Sequence, residues 1–386
     1  MKRFITSTLI IPLISFQFLT ACNHTDEKPV DSKESLGETL FNDRSLSKDG
    51  TQACVSCHDS QHAFIDSRLN KTSVDTSTPG AVSTGQDELA LGDINTPSAA
   101  YAAFVPDFHF DETEALFKGG LFLNGRSDNL VEQAKQPFLN PVEMQTTKED
   151  VVAKVKSKYA AILIDLYGEH IFDSTDTAYN AVADSIAAFE RTSKFASFNS
   201  KFDKVLKGEM QFTEEEQLGL DVFEAEDKGN CAACHPVPTL DSAKTDRLFT
   251  DFTYDNLGVP KNYLVRNLNG KGSDFIDNGL FDNPKVDDAG LKGAFRVSSL
   301  RNIAVTGSYM HNGVFKKLIT VVHFYNTRDV AGALNPETQL IWQPAEVDTT
   351  KNVDELGDLG LTDTEANAIV AFLKTLTDER YQHLIP

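Results

Sequence analysis

The stretch Cys54-Val55-Ser56-Cys57-His58 returns as Cys231-Ala232-Ala233-Cys234-His235, two copies of C-x-x-C-H in one chain. The spacing has a chemical reason. Thiols three positions apart reach the two vinyl groups of one porphyrin as thioethers, and the residue that follows sets an imidazole on the iron. With five Cys and nine His among 386 residues, two copies are not expected by chance. The competing reading, a four-thiolate zinc site built from both C-x-x-C pairs, gives no role to the His after each pair. The motifs therefore predict two covalently bound haem c groups and a redox function.

Outward from the motifs the chain repeats itself. Leu36-Gly37-x-x-Leu40-Phe41 precedes the first motif and Leu218-Gly219-x-x-Val222-Phe223 the second. Ile186-x-Ala188-Phe189-x-Arg191-Thr192 follows the first, with Phe189 131 residues beyond His58. Ile369-x-Ala371-Phe372-x-Lys374-Thr375 follows the second, with Phe372 137 residues beyond His235. A period of about 180 residues is far too long for a solenoid. Each unit reads as helix, haem motif, variable loops and closing helix. The fold class that follows is mainly α, with two tandem cytochrome c-like domains over residues 34–205 and 206–386. Their join is marked near 200–212 by Lys207-Gly208-Glu209 and the helix start Thr213-Glu214-Glu215-Glu216.

At the other end, Lys2 and Arg3 precede an apolar run from Phe4 to Ala21 that Pro12, Ser15 and Gln17 interrupt. This suits a signal peptide over residues 1–21 better than a membrane span. Leu19-Thr20-Ala21-Cys22 resembles a bacterial lipoprotein processing site, with ordinary secretion as the alternative. On the lipoprotein reading Cys22 is the acylated first residue, residues 22–33 are a polar tether, and the body is anchored in the periplasm. Asn23 points to the outer rather than the inner membrane. The formal charge of −21, from 57 acidic and 36 basic residues, argues against a nucleic-acid partner. It favours docking of a basic redox protein, although simple solubility accounts for such a charge equally well.

The whole arrangement, from about Leu36 to the closing helix, resembles the bacterial di-haem cytochrome c peroxidase family and, within it, the MauG-like branch. Asn124-Gly125-Arg126, then Gln133-x-x-x-Pro137-x-x-Asn140-Pro141-x-Glu143-Met144, is similar to the family's peroxide pocket. Ser299-Leu300-Arg301-Asn302, then Thr306-Gly307-Ser308-Tyr309-Met310-His311-Asn312-Gly313, is similar to the segment bordering the second haem and the site between the haems. The resemblance implies an enzyme that reduces hydrogen peroxide at the first haem. Electrons would come through the second from a small cytochrome c or cupredoxin. Two other functions stay open: MauG-like oxidative modification of a partner protein, and a di-haem electron carrier without peroxide chemistry.

The resemblance also assigns residues. Glu143 is the candidate that moves a proton between the two oxygens of peroxide, with a solvated helix-start carboxylate as its bland alternative. Gln133 orients the peroxide and Pro137 shapes the pocket. His58 and His235 are the proximal ligands, and Arg301 borders the second haem. From Asp66 to Ser98 there is no His, Met or Cys to close the first haem from the distal side, which predicts an open iron. His62 reads as a surface or propionate-side residue. His109, in the insertion Val105–Lys118, is a minor candidate.

For the second haem the distal candidates are Met310, His311, His323 and Tyr325. Leu318, Val321, Val322 and Tyr325 recur at i, i+3, i+4, i+7, one face of a helix, and His323 points elsewhere. The family places the ligand fourteen residues beyond the His of Y-M-H-N-G, which here is Tyr325. Ordinary peroxidases carry Met at that position and the MauG-like branch carries Tyr. A phenolate is a hard anionic donor that favours oxidised iron; a core Tyr with a hydrogen-bonded hydroxyl is the alternative. The family's calcium between the haems would take the side-chain amide of Asn95 and the carbonyls of Thr306 and Ser308. One position departs from the pattern: Leu123 stands where a Trp between the haems is usual, with Phe122, Phe117 and Tyr309 as possible substitutes. Trp342 reads as packing. The acidic loop from Asp274 to Asp288 lacks the EF-hand order and reads as solvated.

Overall fold

Two helix pairs, built alike, carry the architecture of this computed structural model, which describes Met1, residues 30–87 and residues 89–386. Cys22 and most of the expected leader and tether lie outside the described residues. In the first unit α1 (Lys33–Asn42) leads to a single turn, α2 (Cys54–Cys57), that carries the first motif. Three longer helices follow: α3 (Leu130–Leu139), α4 (Lys148–Tyr167) and α5 (Thr175–Glu190). In the second unit α6 (Lys201–Leu206) and α7 (Glu214–Glu224) precede the second motif, which occupies a 3-10 turn at Cys231–Ala233. It ends with α8 (Tyr263–Leu268), α9 (Leu318–Thr327) and α10 (Asp363–Lys374). Strands among the described residues make two short antiparallel ladders, β1 (His109–Asp111) with β2 (Leu116–Lys118) and β3 (Tyr254–Asp255) with β4 (Phe295–Arg296). Among the described residues no helix is long and apolar enough to cross a membrane.

The helices begin where their sequences offer a cap. Thr213 Oγ1 accepts the Glu216 N–H at 3.2 Å, and the Glu216 carboxylate accepts the Thr213 N–H at 2.7 Å. Thr362 and Glu365 repeat this reciprocal box at α10. Each box answers two N–H groups that the first turn leaves without a helical partner.

The sequence repeat is a packing unit. α1 crosses α5 and α7 crosses α10, with Gly37 and Gly219 at the crossings. A Cβ on Gly37 would overlap the Ser185 carbonyl oxygen, and one on Gly219 would overlap that of Ala368. Backbone meets backbone at both points, which only glycine permits. Phe41 then meets Phe189 with ring centroids 5.5 Å apart, and Phe223 meets Phe372 at 5.2 Å. Leu36, Leu40, Ile186 and Phe195 complete the first core; Phe249, Ile369 and Leu376 complete the second. Each such side chain contributes about 1.5–3 kcal/mol by leaving water.

α6, drawn with the first domain in the sequence reading, packs into the second core. Phe202 lies 4.8 Å from Phe249, and its N–H donates to the Thr375 carbonyl at 3.0 Å. Between the units apolar contacts, such as Leu91 with Val265 and Tyr101 with Leu248 and Phe252, are joined by buried polar ones. Tyr101 Oη donates to Asp378 at 2.6 Å, while Asn302 Nδ2 reaches the other carboxylate oxygen at 3.1 Å. Arg266, 1% exposed, donates to Asp93 at 2.9 Å. Charge-assisted bonds of this kind fix one unit against the other by geometry as well as energy. The acidic loop is not simply solvated, as expected above. Leu280 and Val286 pull it down onto Ala294, and Asp277 and Asp282 reach the wall of the central cavity.

Candidate functional site

A cavity of about 900 Å³ runs between the units and takes in both motifs, with Cys57 and His58 on one side and Cys231, Cys234 and His235 on the other. His58 Nδ1 lies 3.0 Å from the Phe64 carbonyl and His235 Nδ1 2.6 Å from that of Phe249. Both Phe residues are left-handed, at φ 56° and 54°, which turns each carbonyl back onto its ring. A Nδ1–H donated to a carbonyl leaves the Nε2 lone pair free for a metal. Burial holds both imidazoles below their ordinary pKa, in the neutral form that an axial ligand needs. Cys54, Cys57, Cys231 and Cys234 are all free of disulfides. The donor set and the space fit one haem c at each motif. Among the described residues no three His, Cys, Asp or Glu side chains gather as a metal cluster, so the two C-x-x-C pairs do not build a zinc site.

On the first unit's wall, α3 presents Gln133 and Pro137, four residues apart and on one face. Pro137 has no N–H for the Gln133 carbonyl, and the helix stops two residues later. The turn that follows positions Glu143. Asn140 Oδ1 accepts the Val142 N–H at 3.1 Å, and Asn140 Nδ2 donates to Glu143 Oε1 at 2.5 Å. From the other side Gln86 N–H donates to the Glu143 carbonyl at 2.9 Å. Glu143 thus belongs to the cavity wall and not to a solvated helix start. Burial raises its pKa, against the opposing pull of the Asn140 hydrogen bond and the Arg126 charge. A carboxyl held above its usual range is suited to passing a proton near neutral pH. Arg126 lies 3.6 Å from the Phe122 ring centroid and donates to Asn124 at 3.0 Å and Gln136 at 3.2 Å.

On the second unit's wall stand Leu318, Val321, Val322 and Tyr325 of α9, whereas His323 is not on it. The i, i+3, i+4, i+7 face is the cavity face. Tyr325 Oη is 4.0 Å from Met310 Sδ, and burial together with the nearby Cys231 and Cys234 thiols raises its pKa. Met310 and His311 share the wall, and the His311 ring stacks on Phe295 at 3.7 Å. Arg301 also touches the cavity, but its guanidinium is largely committed to protein. It donates to both Asp203 oxygens, at 2.7 and 3.0 Å, and to the Arg247 carbonyl at 2.8 Å.

The remaining candidates fall into place around this frame. Asn95, Thr306 and Ser308 are all on the wall of the large cavity, and Asn95 and Thr306 also line a small void of about 10 Å³ with Asp66 and Ser83. Leu123 is on the cavity wall with Phe122 and Tyr309; Phe117 instead stacks on Phe108. His62 is bound to Asp59 at 2.6 Å and is 43% exposed, and His109 is exposed on β1. Neither lines the cavity. Trp342 packs edge-on against Phe315 and Phe324 and donates to Thr327 at 3.0 Å.

Two cavity residues were missed in the sequence. Glu190 ends α5 at 6% exposure, and burial pushes its carboxyl up to about 8. It stood as the unread x in Phe189-x-Arg191; a carboxyl beside the core face of a helix was the available signal. Arg296, on β4, had no such signal.

Known proteins share this arrangement. Residues 31–211 match the family described as di-haem cytochrome c peroxidase. The methylamine utilization protein MauG of Paracoccus denitrificans is 42% identical over 362 residues, 92% of this chain and 91% of that protein. Cytochrome c551 peroxidase of Nitrosomonas europaea is 26% identical over 355 residues, 91% of this chain and 81% of that protein. The crystal structure of the diheme peroxidase BthA from Burkholderia thailandensis has a TM-score of 0.81 at 30% identity, covering 92% of this chain and 88% of that one.

Proposed function

The chain belongs to the di-haem cytochrome c peroxidase family, and from that premise we propose that it is a periplasm-facing peroxidase. It reduces hydrogen peroxide to two waters at the first motif, taking two electrons through the C-terminal unit from a small cytochrome c or cupredoxin. Family membership implies two haem c groups. Cys54, Cys57 and His58 would hold the first, and Cys231, Cys234, His235 and Tyr325 the second. When bound, haem supplies the iron that takes up peroxide and the means of reducing it. The protein's own part rests on Glu143, and its place on the cavity wall with a raised pKa carries this reading. Asn140 occupies Oε1, which leaves Oε2 to take the proton from one peroxide oxygen and deliver it to the other. The Gln133 amide orients the peroxide, and Pro137 shapes the space beside it. A calcium ion between the units would draw on Asn95 and the carbonyls of Thr306 and Ser308. A lipid on Cys22 would hold the body at the outer membrane.

A second reading is favoured by Tyr325 on the wall and by the 42% identity to MauG: the electrons come from side chains of a partner protein. Leu123 in place of an aromatic weighs against it. The test is the optical and EPR response of the oxidised, haem-loaded protein to one equivalent of peroxide. Rapid loss of the high-spin ferric signal is expected. A protein that reacts only when half reduced overturns the open first site, and one silent in both states is an electron carrier. Sustained turnover with a reduced small cytochrome then separates the two donors.

A further inference from the structure

The buried guanidinium groups of the C-terminal unit are answered by protein acceptors, with one exception. Arg266 meets Asp93 at 2.9 Å and Glu346 at 3.4 Å. Arg301 meets Asp203. Arg328 meets Asp329 at 3.0 Å and the carbonyls of Leu257 and Asn352. Arg296 has no such partner among the described residues, and its Nε, like that of Arg266, is buried without any hydrogen bond. Nor is the residue loosely placed. Its N–H donates to the Leu123 carbonyl at 2.8 Å, and its Cα is in register with Tyr254 across the β3–β4 ladder.

An unanswered guanidinium inside a protein costs several kcal/mol, yet the fold sets this one on the cavity wall beside Leu123, Phe295 and His311. His311 Nε2 is likewise buried with no partner among the described residues. A cation held this way is waiting for an anion, and a carboxylate matches its planar fork best. The other cations on the wall are already engaged: Arg301 with Asp203, Lys271 with Asp93, and Arg126 with Asn124 and Gln136. Haem brings two propionate carboxylates per porphyrin into the same space.

We propose that Arg296 binds a propionate of one haem in the cavity between the units and thereby raises that haem's reduction potential. This rests on the two-haem reading above. The experiment compares full-length, haem-loaded wild type with Arg296→Gln and Arg296→Lys, after haem per chain has been counted. Removing a unit positive charge from beside a haem, at an effective dielectric near 20, corresponds to about a tenfold change in equilibrium. For one haem of Arg296→Gln the ferrous-to-ferric ratio at fixed applied potential should fall by about that factor. The propionate bending band of the same haem should move in the resonance Raman spectrum, and Arg296→Lys should recover most of the ratio.

Unchanged potentials and propionate bands in a fully loaded Arg296→Gln protein would overturn the proposal. If Arg296→Gln does not load, a loaded Arg296→Lys with a shifted propionate band supports it, and loss of haem from both variants overturns it. A wild type with fewer than two haems would instead overturn the functional reading, and this proposal with it.

Discussion

The two halves of this molecule share a frame and differ in what they show the cavity. α1 on α5 and α7 on α10 have the same glycine crossing, the same Phe contact and the same His-to-carbonyl bond after the motif. Around the first motif the wall is polar and titratable, with Gln133, Glu143 and Glu190. Around the second an apolar helix face ends in Tyr325, with the carboxylates of Asp255 and Glu355 near Cys234. The lesson is that the frame places an imidazole wherever it occurs, while the inserted segments decide what faces it. On the proposed reading one half moves a proton and the other fills a coordination position.

The sharpest way to break this contrast is Glu143→Gln, which removes the proton acceptor and leaves shape intact. Peroxide turnover should fall by about 10²–10⁴-fold with haem content unchanged, as seen in steady-state assays with a reduced small cytochrome. Unchanged turnover would move the chemistry away from the first wall. Next in size is the test of the shared frame. Gly37→Ala and Gly219→Ala each force a methyl group into a carbonyl oxygen, and each should cost about 1–3 kcal/mol in denaturant unfolding of the loaded protein. Unequal costs would show that the two crossings are not equivalent.

The smallest effect expected is a shift in pH dependence. Glu143 must be ionised to take a proton, and its pKa already lies above the usual carboxylate range, so turnover should decline as pH falls through that raised value. Arg126 holds the pKa down. Arg126→Leu should therefore push the acid limb to higher pH, with a loss of a few-fold below it and little above, in a pH series of kcat/KM. A limb that moves to lower pH would mean that Arg126 does not act on Glu143.

Much of the frame was legible because it rests on local rules. The motifs, the capping box at Thr213 and the helical spacing of Leu318 to Tyr325 each need only a few neighbouring residues to be read. The acidic loop was misjudged for the opposite reason. Its charges suggested water, but Leu280 and Val286 fold it against Ala294, a contact with a residue outside the loop. α6 behaved similarly: six residues near a join carry no mark of which core will take Phe202.

By itself the sequence determined the two C-x-x-C-H motifs, the mainly helical repeat and the helix face from Leu318 to Tyr325, since motif spacing and helix periodicity are properties of short segments. The tertiary structure decided which charges are answered. Arg301 finds Asp203 across 98 residues, Arg266 finds Asp93 across 173, and Arg296 finds neither. Charge pairing in a buried cavity depends on distance and desolvation between remote segments, and neither quantity is written in the order of the residues.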